Sequence, residues 1–312
     1  MHAIYAALTL VGTVRSFNGA AGQAMVPQLV PEEHFPNAVA WAQTVFNAAV
    51  IVGPALGGFI YAAFHGPAAV YASSVVAGVI SVALVTRIRL TPAERDEEPV
   101  TLATLFAGLR FIWEKKLILG SISLDLFAVL LGGAVALLPV YARDILHTGP
   151  WGLGLLRSAP AVGAVAMAVL LAHRPLKRHA GRTMLWCVAG FGVFTIVFGL
   201  SRSLILSLVS LLLLGASDMV SVIIRGTLVQ LSTPDAMRGR VSAVYSLFIG
   251  TSNEFGQFES GVTAQWFGTV PAVLLGGVGT LLVVALWSWL FPELRGADRL
   301  VNQIEIVEHE TP

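Results

Sequence analysis

Long runs of apolar residues, separated by short polar loops, make up most of this 312-residue chain. A helix that crosses a membrane needs about 20 mainly apolar residues at a rise of about 1.5 Å each. Strands are disfavoured, because the runs are too long, do not alternate, and would need a closed barrel in lipid. The pattern predicts an all-α integral membrane protein with nine membrane helices, at about residues 4–28, 37–63, 67–87, 117–142, 151–172, 183–201, 203–230, 239–266 and 269–290.

One long polar stretch, residues 88–116, interrupts the series of helices. It begins with the charged segment RLTPAERDEEP, which reads as a solvated linker, and ends with TLATLFAGLRFIWEKK, whose apolar residues have helical spacing typical of a helix on the membrane surface. We therefore expect three helices in residues 1–87, a cytoplasmic linker in 88–116, a six-helix bundle in 117–290 and a cytoplasmic tail in 291–312.

Charge is scarce and unevenly distributed. Charged residues make up 12% of the chain, against about 25% in soluble domains. The net charge of +1 argues against a nucleic-acid partner. Fourteen Lys and Arg residues lie in one set of alternate loops, and only Arg143, Arg157 and Arg202 lie in the other set. By the positive-inside rule, we expect a multi-pass protein of the cell membrane with a cytoplasmic C-terminus.

An internal repeat relates the first helices to later ones. With a shift of 203 positions, Gly12 falls on Gly215, Pro31 on Pro234, and Gly58 on Gly261. Both copies have a helix, a short loop with proline and an acidic residue, and then a second helix. The intervening helices place the copies one six-helix unit apart, which is typical of parallel six-helix repeats. The scheme makes the first helix here the fourth of twelve, so we expect the first three to be lacking.

Four stretches resemble the major facilitator superfamily, in particular its bacterial drug-efflux and siderophore-efflux branch. They are GAAGQAMVPQLVPEEHFPNA, GPALGG, LSTPDAMRGRVSAVYSLFIG and FGTVPAVLLGGVGTLLVVALW, and they extend over nearly the whole chain. The resemblance implies a secondary active transporter that exports a small amphipathic molecule, such as a drug or a siderophore, by alternating access. It also implies coupling to protons, and we expect a monomer surrounded by lipid.

Two glycine-containing motifs carry part of this resemblance. Gly53, Pro54, Gly57 and Gly58 resemble the antiporter motif of drug/proton exchangers, although Ala40 and Ala49 stand where further glycines would be expected. Pro54 removes a helix hydrogen bond, and the glycines allow a second helix to approach closely, so we expect a gating contact here. Ordinary close packing is the alternative.

A cytoplasmic loop motif resembles the degenerate second copy of the family's loop between helices. Leu176, Gly181 and Arg182 match, whereas Arg178 stands where the family has an aspartate. The full set of loop residues that we assign to the motif and to its neighbouring basic loop is Arg174, Leu176, Arg178, Gly181, Arg182, Arg238, Gly239 and Arg240.

Ionisable residues inside predicted membrane helices are costly and indicate functional positions. The substrate and proton pathway is predicted to use Arg15, Asp125, Asp218, Arg225 and Glu254. The repeat sets Arg15 and Asp218 at equivalent positions, and we expect them to face each other across the substrate path. Asp218 and Arg225 lie seven residues apart and share a helix face. The alternatives are a static ion pair, a polar helix contact for Glu254, and an acid near basic loops for Asp125.

Several function classes find no support in the sequence. It contains no phosphate-binding loop with the pattern GxxxxGK[ST], no HExxH helix and no GxSxG elbow. We therefore expect neither an enzyme, nor a cofactor, nor a metal site. Two rival hypotheses remain open: a truncated, inactive transporter fragment, and a membrane scaffold that does not transport.

Overall fold

The computed structural model describes residues 9–10, 12–13, 35–88, 102–174 and 179–297. Helices account for nearly all of them, and no strand occurs in these ranges. The long helices are α1 (Phe35–Ala63), α2 (Pro67–Val85), α3 (Leu102–Glu114), α4 (Lys116–Leu131), α5 (Gly149–His173), α6 (Ala180–Leu200), α7 (Leu204–Leu231), α8 (Asp235–Phe267) and α9 (Thr269–Leu290), and a short α10 (Pro292–Gly296) follows. The predicted all-α membrane fold is confirmed.

Six segments of the described chain are long and apolar enough to cross a membrane. They are Pro67–Val85, Lys116–Ile145, Gly149–His173, Ala180–Leu200, Leu204–Leu231 and Thr269–Leu290. Helix α1 contributes a shorter apolar stretch, Ala48–Ala63. Helix α8 has 33 residues but is more polar than the others, with Asn253, Glu254, Gln257 and Glu259 in its second half. The first predicted helix, 4–28, lies almost entirely outside the described residues.

The chain divides into two compact units. One consists of Met1–Ala49 with Gly66–Glu98, and the other of Val50–His65 with Pro99–Pro312. In the first unit, α2 has no buried residue. In the second unit, α7 packs against α5 and α6, α9 against α6 and α4, and α8 against α4, α9 and α3. The sequence-based domain boundaries remain a prediction.

The second unit is apolar on its outside as well as inside. Trp186, Ile205, Trp266 and Trp289 each expose about three quarters of their surface. A soluble protein seldom exposes contiguous apolar surface of this kind, whereas lipid tails accept it. Three buried clusters hold the inside together, and one of them joins Ile112 of α3 to Ile118, Ile122, Val229, Val241 and Val244. Helix α3 therefore packs on the bundle along one side, while Phe106 and Trp113 remain exposed.

The membrane-spanning segment Lys116–Ile145 is interrupted. The sequence predicts one helix over 117–142, but α4 ends at Leu131 and Gly132–Gly133 follow. The chain then forms a 3-10 turn at Ala134–Leu137 and a π turn at Tyr141–Ile145. The glycines leave space for neighbouring helices, since a methyl group at Gly133 would overlap α8 at Gly256 and Ser260. Pro139 adds a residue without a backbone donor, which explains the irregular hydrogen bonding.

Glycines also set how closely α5 and α7 cross. A methyl group added at Gly163 of α5 would overlap the carbonyl group of Leu212, and one added at Gly215 of α7 would overlap the carbonyl of Pro160. Small residues at such crossings let helix backbones pack closely in lipid, where the hydrophobic effect does not drive helices together. The repeat-related glycine Gly215 is therefore a packing residue.

We predict that Gly215→Ala destabilises the protein by about 1–3 kcal/mol, because the added methyl group forces α5 and α7 apart. Gly226 lies on the same helix with nothing within 4 Å of its added methyl group, so Gly226→Ala is the matched control. It should leave stability unchanged or raise it by up to about 1 kcal/mol. Thermal unfolding of the purified protein in detergent measures both, and equal effects of the two substitutions would contradict the packing role.

Candidate functional site

A charged pair lies inside the second unit, between α4 and α7. Arg225 of α7 forms an ion pair through Nη1 with Oδ1 of Asp125 on α4. Only 2% of Arg225 and 7% of Asp125 is exposed. A charge removed from water costs several kcal/mol unless it is paired, so each side chain makes the other tolerable at this position. This pair is the central feature of the candidate site.

Helix α8 supplies a third contact to the pair. The Nε atom of Arg225 donates a hydrogen bond to the hydroxyl of Tyr245 at 2.8 Å. The guanidinium carbon lies 5.6 Å from the centroid of the Tyr245 ring, within the range of a cation–π contact. Arg225 is therefore held by an acid from one helix and an aromatic residue from another, and its orientation is fixed by both.

A small pocket lies beside the pair. Asp125, Asp218 and Ser221 line it together with the apolar residues Ala128, Val129, Val188 and Phe191. About 10 Å³ is open to a water-sized particle, which is about the space needed by one water molecule. Asp218 makes no ion pair with any residue in the described ranges, and the Ser221 hydroxyl has no hydrogen-bond partner there. The pocket thus presents oxygen atoms that have no partner in the described part of the protein.

The sequence predicts which charged residues belong to this cluster, but it does not predict which of them form the ion pair. It predicts that Asp125, Asp218 and Arg225 belong to one pathway and that the last two share a face. The expected partner of Asp218, Arg15, lies outside the described residues. The Asp125–Arg225 pair and the contacts of Tyr245 were not anticipated. No local pattern marks Tyr245, because its position beside Arg225 depends on how α7 and α8 pack.

Glu254 lies elsewhere on the bundle surface. It is exposed on α8, as are Asn253 and Gln257, and it is not among the residues that line the pocket. Nearby, Thr263 donates a hydrogen bond to Oε1 of Glu259 at 2.6 Å. Exposed polar groups in a membrane helix face water or protein and not lipid. The exposed polar face of α8 is therefore a candidate wall of an aqueous path.

The antiporter-like motif on α1 makes a close helix contact inside the second unit. Gly58 meets the carbonyl of Pro150 and the backbone of Gly154 on α5, and Gly154 in turn meets the carbonyl of Pro54. The hydroxyl of Ser158 donates to the carbonyl of Ile51 at 2.6 Å. By contrast, methyl groups at Gly53 and Gly57 would meet nothing within 4 Å. Two of the four motif residues therefore form the contact, on one side of the helix.

The loop motif falls partly within the described chain. A methyl group at Gly181 would overlap the carbonyl of Leu294 in α10, and the Gly181 amide donates to the carbonyl of Ala297 at 3.0 Å. Leu176 and Arg178 lie outside the described residues. The exposed residues of the set are Arg174, Arg182 and Gly239. Arg240 is partly buried, and its Nη1 contacts the sulfur of Met237. Arg238 lies in α8. The start of α6 is thus joined to the segment after α9.

Comparison with known proteins places the chain in a family. The model of the transmembrane secretion effector family matches residues 2–305. Curated relatives include proteins named enterobactin exporter EntS from Citrobacter koseri, from Shigella boydii serotype 18 and from Escherichia coli O1:K1. Each is 26% identical over 272 residues.

The similarity covers 87% of this chain and 65% of each of these relatives, so the chain spans somewhat less than two thirds of their length. The family match extends over the helices described above, including the charged pair, the pocket and the α1–α5 contact. The chain belongs to the transmembrane secretion effector family of the major facilitator superfamily.

Proposed function

We propose that this protein is a secondary active exporter of a small amphipathic molecule, driven by protons entering the cell. The family and the name shared by the relatives support export, and a siderophore is the first cargo to test. The observation that carries the proposal is the buried Asp125–Arg225 pair beside Asp218, because ionisable residues inside a membrane bundle are costly and mark the paths of ions or substrates.

The pair supports a specific role for the proton. An acid and a base that are buried together remain charged only while each has the other as a partner. A proton that binds Asp125 removes the negative charge that holds Arg225. The guanidinium is then left with Tyr245 and with Asp218, which lies two turns away on the same helix face. Exchange between these two arrangements is a two-state element that binding of a proton or of cargo can bias.

The contact between Gly58 and Gly154 supports a matching mechanical role. Alternating access requires two groups of helices to move against each other around a central site. Backbones that touch through glycine slide past each other without side chains that interlock. We propose that this contact closes one side of the path. We further propose a cytoplasmic C-terminus and a monomer as the transporting unit.

Export and its dependence on Asp218 are tested together. In cells that lack their own exporters, the protein should lower the accumulation of enterobactin or of members of a panel of amphipathic drugs, and a protonophore should abolish the effect. Asp218→Asn should reduce pH-gradient-driven efflux at least tenfold, because the neutral side chain cannot exchange a proton. Asp144→Asn is the control, since Asp144 is exposed and pairs with its neighbour Arg143 at the surface. Intact proton-driven efflux by Asp218→Asn would remove this residue from the coupling step.

A double substitution separates coupling from stability. Asp125→Asn or Arg225→Gln alone should cost about 3–5 kcal/mol, because each strands a buried charge. The double variant Asp125→Asn/Arg225→Gln removes both charges and should recover most of that loss. Thermal unfolding in detergent measures the recovery, and pH-gradient-driven efflux from proteoliposomes should nevertheless remain absent. A double variant that transports like the parent protein would reduce the pair to a structural contact.

The glycine contact predicts a difference between adjacent positions. Gly58→Val should slow transport at least tenfold, because its side chain would strike the carbonyl of Pro150 and the backbone of Gly154. Gly57→Val adds the same bulk where no atom lies within 4 Å and should retain most of the activity. Cargo exchange in proteoliposomes without a pH gradient measures the opening and closing of the path. Equal rates for both variants would exclude a gating role for this contact.

A further inference from the structure

Ser221 is unusual among the hydroxyl residues of α7. It is 2% exposed, yet its hydroxyl has no hydrogen-bond partner among the described residues. Ser210 and Thr227 on the same helix each donate to the carbonyl four residues earlier, at 2.7 and 2.8 Å. Ser221 makes no such bond and lines the pocket instead. A buried hydroxyl without a partner is disfavoured, so its orientation indicates a partner that occupies the pocket.

Among the described residues, the charges around the pocket leave one negative charge uncompensated. Helix α4 contributes Asp125, and α7 contributes Asp218 and Arg225. Helices α6 and α8 add no charge here. Tyr245 of α8 is uncharged when its hydroxyl is protonated, and α6 contributes the apolar residues Val188 and Phe191, with Cys187 adjacent in sequence. Two carboxylates and one guanidinium sum to one negative charge. A single positive charge neutralises the cluster, whereas a divalent ion would give it a net positive charge.

The size and chemistry of the pocket restrict this positive charge further. The open space suits one particle of the size of a water molecule, which excludes an organic cation. Carboxylate and hydroxyl oxygens are hard ligands and prefer hard cations. In the described ranges no group of three or more His, Cys, Asp or Glu residues is arranged to hold a metal ion, which disfavours a multivalent ion.

We propose that Asp125, Asp218 and Ser221 form a binding site for one Na⁺ ion, which competes there with the proton of the transport cycle. The carboxylates supply the charge and the Ser221 hydroxyl supplies a neutral oxygen, while Arg225 limits the site to one positive charge. The role of this ion in transport rests on the proposed function, but its binding does not.

Equilibrium binding of ²²Na⁺ to the purified full-length chain in detergent tests the site. The parent protein should bind one ion, and N-methyl-D-glucamine at the same ionic strength should not displace it. Ser221→Ala should raise the Kd about tenfold or more, through loss of one ligand to a charged partner. Asp218→Asn should abolish binding. Ser210→Ala removes an equally buried hydroxyl from the same helix and should bind like the parent protein. Acidification should release the ion.

Each outcome bears on the site alone. No binding by the parent protein, displacement by N-methyl-D-glucamine, or equal affinities of the Ser221→Ala and parent proteins would overturn the proposal. Binding that Asp218→Asn retains would do the same, and binding unaffected by pH would overturn the competition with protons. Since no cargo is present in this assay, a protein that binds Na⁺ but exports nothing would contradict the proposed function and leave the site intact. A protein that exports cargo but binds no Na⁺ would support the proposed function and overturn the site.

Discussion

The structure of the second unit depends on keeping charge out of lipid. Arg225 is among the largest fully buried side chains described, and it is tolerated because Asp125 faces it from α4 and Tyr245 from α8. These contacts join α4 to α7 and α8, which are distant from it in sequence. The rest of the bundle surrounds them with apolar clusters that contain Leu124, Ala128, Val188 and Ile224. A polar centre inside an apolar bundle thus has few possible partners, and among the described residues Asp218 is the other charged group beside the pocket.

Helix packing around this centre relies on glycine more than on large side chains. Gly192 of α6 and Gly277 of α9 each contact the backbone of the other helix, much as Gly163 and Gly215 do at the α5–α7 crossing. In lipid the apolar surface of a helix gains little by being buried, so close backbone contact has to supply much of the association. Close contacts of this kind explain how a chain with 31 glycines can form tightly packed helices.

The sequence predicts the helices of the described chain well, because runs of about 20 apolar residues have few alternatives in a membrane. It also identifies the acids and the arginine of the candidate site, because charges are rare enough in such runs to be conspicuous. It does not predict that Arg225 pairs with Asp125, since pairing across a hundred residues is decided by helix packing. Nor does it predict the break after Leu131, although Gly132–Gly133 and Pro139 together indicate a weak point. Ser221 is ordinary in sequence and becomes notable only through the bond that it fails to make.

The interruption of the membrane-spanning segment Lys116–Ile145 has a mechanical consequence. Before the two glycines, α4 carries Asp125 and is attached to α7 through the ion pair. After them, the chain is attached to α6 by the hydroxyl of Tyr141, which donates to the carbonyl of Gly199 at 3.0 Å. The two anchors lie on either side of a joint without a continuous ladder of backbone bonds. Helix α4 can therefore tilt relative to the segment after the glycines. Asp125 can then exchange its partner while the contact between Tyr141 and Gly199 is kept.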